Sequence, residues 1–321
     1  MSRAGTLLVM TRLWLLVASG CSDLVYRFGI PLFYEEAELP ASQVLLDLPY
    51  RTDAGADPVK HRLDLFLPTP AEAPAPVLVF VHGGGWRVGD KSYAPGGHDV
   101  YGNIGRYFAS RGVATAVIGY RLMPRVRLEE QIDDVAHAVA WLHREVARYG
   151  LDPDRLFLAG HSAGAQLATW VALDPGRLAG VGVPERSIRG LVAVSGAAYD
   201  VADEETYRLG GDPEYYAERF RNGHADDAWK SAASPIRFAR ADAPPALIFY
   251  ADGESEALKH QARLLTDALT RAGASARLVA VPAGSHERIV LTLSRDDRVA
   301  GPAMLAFIRS ADGTSRRSRA P

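Results

Sequence analysis

The segment Gly160-His161-Ser162-Ala163-Gly164 presents a serine hydroxyl within a Gly-x-Ser-x-Gly turn. The apolar run 156–159 leads into it and the helix-forming stretch 165–173 follows, so Ser162 sits at a sharp strand-to-helix turn. Gly160 and Gly164 are required there because larger side chains would collide with neighbouring backbone. A hydroxyl lifted above a helix N-terminus is placed to attack a carbonyl carbon, which makes Ser162 the candidate nucleophile. Serine at its free pKa attacks poorly, so a base must take its proton and a carboxylate must orient that base. For a nucleophile on such a turn the acid and then the histidine come later in the chain. His286, in the turn Pro282-Ala283-Gly284-Ser285-His286, is late enough to be the base, and Asp252, Glu254 and Glu256 crowd behind the apolar run 246–249.

Upstream, the run 77–81 ends in His82-Gly83-Gly84-Gly85-Trp86. Successive glycines after a strand let backbone N–H groups approach a ligand closely, as stabilising a developing oxyanion requires. Gly84 and Gly85, with the N–H of Ala163, are the candidate donors, Gly83 supports their loop, and His82 is expected to brace it rather than act as the base.

These groups need a scaffold. Short continuous apolar runs at 77–81, 113–118, 156–159, 190–194, 246–249 and 277–281 suit a parallel sheet covered on both faces. Ile132, Val135, Val139, Leu142 and Val146 form a helical stripe, and Leu258, Leu265 and Leu269 another, with Gly273 as a C-cap. Strands alternating with helices predict an α/β fold, a mostly parallel doubly wound sheet with helices on both faces. The stretch 62–68 alternates polar and apolar residues, which predicts a half-exposed edge strand. Residues 199–242, rich in Asp, Glu, Arg, Tyr and Pro, read either as a lid insertion or as a partly helical surface excursion.

Composition narrows the function classes. Of 321 residues, 36 Lys plus Arg stand against 38 Asp plus Glu, so no overall field favours nucleic acid. One cysteine, Cys21, excludes an intrachain disulfide framework and a multi-thiolate zinc site. His61, His98, His137, His143, His224 and His260 lack metal-ligand spacing, so neither a metal nor an organic cofactor is expected. Arg3 and Arg12 precede the apolar run 13–18, and Ser19 and Gly20 follow, the layout of a signal peptide too short to span a bilayer. Ala18-Ser19-Gly20-Cys21 resembles a bacterial lipoprotein cleavage box, which makes Cys21 a lipidation candidate and predicts an exported, membrane-anchored protein. Secretion or a cytoplasmic location are the alternatives. The expected plan is an export segment over 1–21, a covering segment or linker over 22–60, a catalytic domain over 61–310 and a disordered tail over 311–321.

From about residue 63 to 310 the chain resembles the hormone-sensitive-lipase-like branch of the α/β hydrolases, closest to its carboxylesterase (BD-FAE) and kynurenine-formamidase-like members. The matching stretches are His82-Gly83-Gly84-Gly85-Trp86, Gly89-Asp90-Lys91, Gly119-Tyr120-Arg121-Leu122, Asp133-Asp134-Val135, Tyr149-Gly150-Leu151-Asp152-Pro153-Asp154-Arg155, the elbow around Ser162, and Ser234-Pro235-Ile236. Hydrolases commonly place the acid three residues after a glycine ending its strand; with Ala251 in that position the count falls on Glu254, and Asp252 is the fallback. Glu254-Ser255-Glu256 followed by Gln261 also resembles the formamidase-like pattern, which favours Glu254. Ala251, and Ala165 where many members carry another glycine, are departures. The resemblance implies acyl transfer on a small-molecule ester, with an N-formyl amide as the alternative substrate. A non-catalytic hydrolase-fold binding protein is the rival from outside the enzymes.

Overall fold

A strand whose residues are all apolar is stable only where both faces of its sheet are covered. The computed structural model describes residue 30, residues 33–69 and residues 74–317, of which 312–317 by backbone alone. In chain order its elements are β1 (Val44–Pro49), β2 (Arg62–Phe66), β3 (Ala75–Val81), α1 (Val100–Ala109), β4 (Ala114–Ile118), α2 (Leu128–Glu145) and β5 (Leu151–His161). There follow α3 (Ala163–Leu173), α4 (Pro175–Gly180), β6 (Ile188–Val194), α5 (Glu204–Arg208), α6 (Pro213–Phe220) and α7 (Ala228–Ala232). The chain then continues through β7 (Ala246–Ala251), α8 (Glu256–Arg271), β8 (Ala276–Val281), α9 (His286–Leu291) and α10 (Ala300–Arg317).

The strands form one sheet in the order β1-β2-β4-β3-β5-β6-β7-β8. β1 and β2 run antiparallel to their neighbours, and β4 to β8 are mutually parallel. Alternate residues of β3 and β5 enter opposite cores. Val77, Val79, Val81, Leu156 and Leu158 pack with α2, α3 and α8, whereas Leu78, Phe80, Phe157 and Ala159 pack with α1, α9 and α10. Helices therefore cover both faces, as the apolar runs predicted.

Two expectations at the start of the sheet need correction. Residues 62–68 do not form an edge strand: β2 lies between β1 and β4, and its Asp64 is buried because Lys91 Nζ donates to it at 2.8 Å. A paired buried carboxylate thus imitates the polar half of an exposed strand. The true edge is β1, from the stretch expected to be only a cover or linker. Its pairing with β2 shifts register between Leu45 and Leu48, where Asp47 has φ 57°. That irregularity breaks the two-residue period by which a strand is recognised.

At the other end, α10 continues to Arg317, so the tail expected to be disordered from 311 is helical that far. The export segment 1–21, with Cys21, lies outside the described residues, as do 318–321.

Candidate active site

The parallel strands deliver every candidate group to their C-terminal ends, where crevices form between successive crossovers. Gly83 follows β3, Ser162 follows β5, Glu254 follows β7 and His286 follows β8. Ser162 has φ 56° and ψ −123°, a conformation held by its N–H donating to Val194 O at 3.0 Å and by glycines on both sides. A Cβ on Gly160 would lie 2.3 Å from Gly164 O, and one on Gly164 would lie 2.2 Å from Val81 O. The strain at the serine is therefore imposed by the packing of its turn.

Ser162 Oγ is 2.8 Å from His286 Nε2, and His286 Nδ1 is 2.7 Å from Glu254 Oε1. With Glu254 accepting from Nδ1–H, Nε2 is left free to accept from the serine hydroxyl. Glu254 is fully buried, and its other oxygen accepts from the Ala251 N–H at 2.9 Å. Asp252, the fallback acid, is exposed and among the described residues bonds neither Ser162 nor the imidazole; its backbone N–H pairs with Val281 O. Gly253 N–H donates to Gly284 O at 3.0 Å, joining the acid's loop to the histidine's, and a Cβ on Gly253 would lie 2.5 Å from that same oxygen.

The glycine loop is braced from several sides. His82 is buried and stacked on Tyr120 at 4.3 Å, and burial lowers its pKa to about 4, so it supports the loop as a neutral ring. Gly83 N–H donates to Tyr101 Oη at 3.0 Å. Gly84 and Gly85, with φ of 127° and 55°, have no intramolecular acceptor for their N–H groups among the described residues. Ala163, in the first turn of α3, has an N–H without an intrahelical partner. Trp86 Nε1 donates to Gln166 Oε1 at 3.0 Å, tying the loop to α3. The excursion 199–242 is helical and reaches the same loop: Arg219 Nε donates to Gly85 O at 3.1 Å, and the Phe220 ring meets Trp86 edge-on at 4.9 Å. A cleft of about 860 Å³ opens over Ser162, lined by the glycine loop, by α9 and by Tyr215, Ile30 and Phe33.

Of the remaining histidines, His61 is buried with its Nδ1 accepting from Asp57 N–H and its Nε2 at 2.8 Å from Asp134, a structural role as expected. Sequence reasoning passed over His161. Its Nε2–H donates to the carbonyl of His286 at 2.8 Å, and burial, aided by the neighbouring His286, lowers its pKa to about 3. It stands beside Ser162 in the motif, and that adjacency was the one available signal. Tyr101 and Tyr215 were also missed, because nothing local marks a side chain that meets the site only after folding.

The chain is similar to an isoprenylcysteine alpha-carbonyl methylesterase of Arabidopsis thaliana, 25% identical over 249 residues, 73% of this chain and 56% of that protein. It is similar as well to the esterase LipQ of Mycobacterium tuberculosis, 29% identical over 239 residues, 73% of this chain and 55% of that protein. The chain thus spans just over half the length of both. Among solved structures, an esterase B of Lactobacillus rhamnosis inhibited by a tributyrin phosphonate superposes with a TM-score of 0.71 at 23% identity, over 99% of this chain and 98% of that one. That likeness extends the α/β-hydrolase fold to this protein. The model of one family, BD-FAE, matches residues 63–269, from β2 through the elbow and the acid loop into α8, and the chain therefore belongs to the BD-FAE family.

Proposed function

We propose that the protein is a serine carboxylesterase acting on small to medium carboxylic esters. The observation that carries the reading is the continuous chain from Ser162 Oγ through both nitrogens of His286 to buried Glu254. Ser162 Oγ attacks the ester carbonyl carbon as His286 Nε2 takes its proton. Glu254 orients the ring and stabilises its charge, while the N–H groups of Gly84, Gly85 and Ala163 receive the oxyanion. Collapse of the intermediate breaks the carbon–oxygen bond to the alcohol, which leaves with the proton from His286, and the acyl group stays on Ser162 Oγ. Water then attacks with His286 as base, and the carboxylic acid departs. The names of the relatives, esterases and methylesterases, support the same reaction class.

The test is turnover of p-nitrophenyl esters from acetate to decanoate, beside an N-formyl aromatic amine, by wild type and Ser162→Ala. Ester turnover lost in the variant is expected. Turnover of the formyl amide without any of short acyl esters would replace this reading with an N-formyl amide hydrolase. No turnover of either by folded protein would favour a binding role.

We further propose that the protein is exported and anchored through a lipidated Cys21, a reading supported by the basic, apolar and small-residue order of residues 1–21. Palmitate label in the wild type and none in Cys21→Ala is the expected result; an unlabelled wild type would overturn it.

A further inference from the structure

Chain outside the family match reaches the cleft. Ile30 and Phe33 line it, although the BD-FAE match begins only at residue 63. Their segment is fastened on both sides of the opening. On the α1 side, buried Asn103 accepts from Ala37 N–H at 2.7 Å and donates to Glu35 O at 2.7 Å, and Tyr34 Oη donates to Asp99 O at 3.2 Å. On the α9 side, the Arg288 guanidinium lies 3.9 Å over the Phe33 ring and is aimed by a hydrogen bond to Ala283 O at 3.1 Å. A cation over an aromatic face is an attractive contact, so Phe33 is held at the cleft by α9.

The position of α9 decides which part of a substrate this wall meets. In the reaction proposed above, His286 must hand its proton to the departing alcohol oxygen, so the alcohol lies on the imidazole side of the carbonyl carbon. The opposing side belongs to the oxyanion donors. His286 is the first residue of α9, and Arg288, Val290 and Leu291 of the same helix line the cleft beyond it. Phe33, clamped by Arg288, therefore stands at the alcohol side, and Ile30, three residues earlier in the chain, lines the same cleft.

We propose that Ile30 and Phe33 are specificity-determining residues for the leaving group, and that they select esters of apolar alkyl or aryl alcohols over those of the smallest alcohols. The inference rests on the esterase reading. Its physical content is that an apolar leaving group buries surface against these side chains during acylation, whereas an ethyl group is too short to use them.

The experiment compares two substrate series in wild type, Phe33→Ala, Phe33→Leu and Ile30→Ala. In one, the acyl group is butyrate and the alcohol runs through ethyl, butyl, hexyl and benzyl, with acid release followed by an indicator dye. In the other, the leaving group is p-nitrophenol and the acyl group runs through acetate, butyrate and hexanoate. Phe33→Ala should lower the hexyl-to-ethyl ratio of kcat/KM roughly tenfold, the scale of a lost apolar pocket contact, and leave the hexanoate-to-acetate ratio within about twofold. Phe33→Leu should retain most of the alcohol preference, and Ile30→Ala, which leaves the Arg288 clamp in place, should shift it in the same direction. An unchanged alcohol ratio in both alanine variants, or a shift confined to the acyl series, overturns the inference. Ser162→Ala is run beside them. Activity that survives it removes the esterase reading and this inference together, whereas Ser162-dependent activity with unchanged alcohol ratios removes the inference alone.

Discussion

The imidazole of His161 donates through Nε2 to the main-chain oxygen of His286 at 2.8 Å, so the residue preceding Ser162 holds the backbone that carries the imidazole paired with it. In the mechanism proposed above His161 is a positioning residue, acting only through His286. His161→Leu removes the donor, and displacement of the base should lower kcat about 10- to 100-fold while KM changes by no more than about twofold. His161→Gln, which retains an N–H donor, should recover part of the loss. Steady-state kinetics on p-nitrophenyl butyrate provide the check, and a change confined to KM would refute the assignment.

The acid loop allows a sharper comparison. Glu254 reaches His286 Nδ1 at 2.7 Å, whereas Asp252 is exposed to solvent. Glu254→Gln should lower kcat about 10³- to 10⁴-fold, the scale expected when the orienting carboxylate is lost. Asp252→Asn should leave kcat within about twofold, since an exposed side chain bonded to neither Ser162 nor His286 contributes little. Equal losses in both variants would contradict the geometry.

The elbow should tolerate no methyl group. Because the neighbours of Gly164 are the backbone oxygens of Val81 and His82, which cannot swing away, Gly164→Ala should cost about 3 kcal/mol or prevent folding. Gly180 is the control: no atom lies within 4 Å of its Cβ position, and Gly180→Ala should change stability by less than about 1 kcal/mol. Denaturant midpoints and soluble yield distinguish them.

Buried histidines make stability depend on pH. Burial lowers His82 to about 4 and His161 to about 3, whereas in the unfolded chain each takes up its proton near pH 6.5. Between those values the unfolded state holds more protons than the folded one, so stability is full above pH 6.5 and falls as the pH is lowered, toward 4 for His82 and toward 3 for His161. Each group can contribute a few kcal/mol, at about 1.4 kcal/mol per unit of difference. Urea midpoints measured from pH 7 to 4.5 should fall less steeply in His82→Gln than in wild type. Parallel curves would contradict the assignment.

The turn at Ser162 and its glycines were legible because their requirement is local. A serine at a left-handed φ between strand and helix excludes Cβ atoms at Gly160 and Gly164, and that exclusion is written in adjacent residues. The strands β3 to β8 were legible for a similar reason, since burial on both faces forces continuous apolar runs. The carboxylate partner of His286 was only narrowed to neighbours: Asp252 and Glu254 are chemically alike, and what separates them is the direction each side chain takes once β7 and β8 are paired and Gly253 is bonded to Gly284.

Where the sequence misled, a distant partner had changed the meaning of a local pattern. Asp64 makes β2 look half exposed, yet Lys91 neutralises and buries it, and the register shift near Asp47 conceals the strand that covers it. His161, Tyr215 and Phe33 carry no local mark either, because their positions depend on contacts with His286, Gly85 and Arg288 far along the chain. Residue types and short-range sterics determined the chemistry available at Ser162 and the alternation of strands and helices. Which carboxylate reaches His286, what holds its loop and what walls the cleft were decided by tertiary packing, because those relations exist only when segments remote in sequence are brought together.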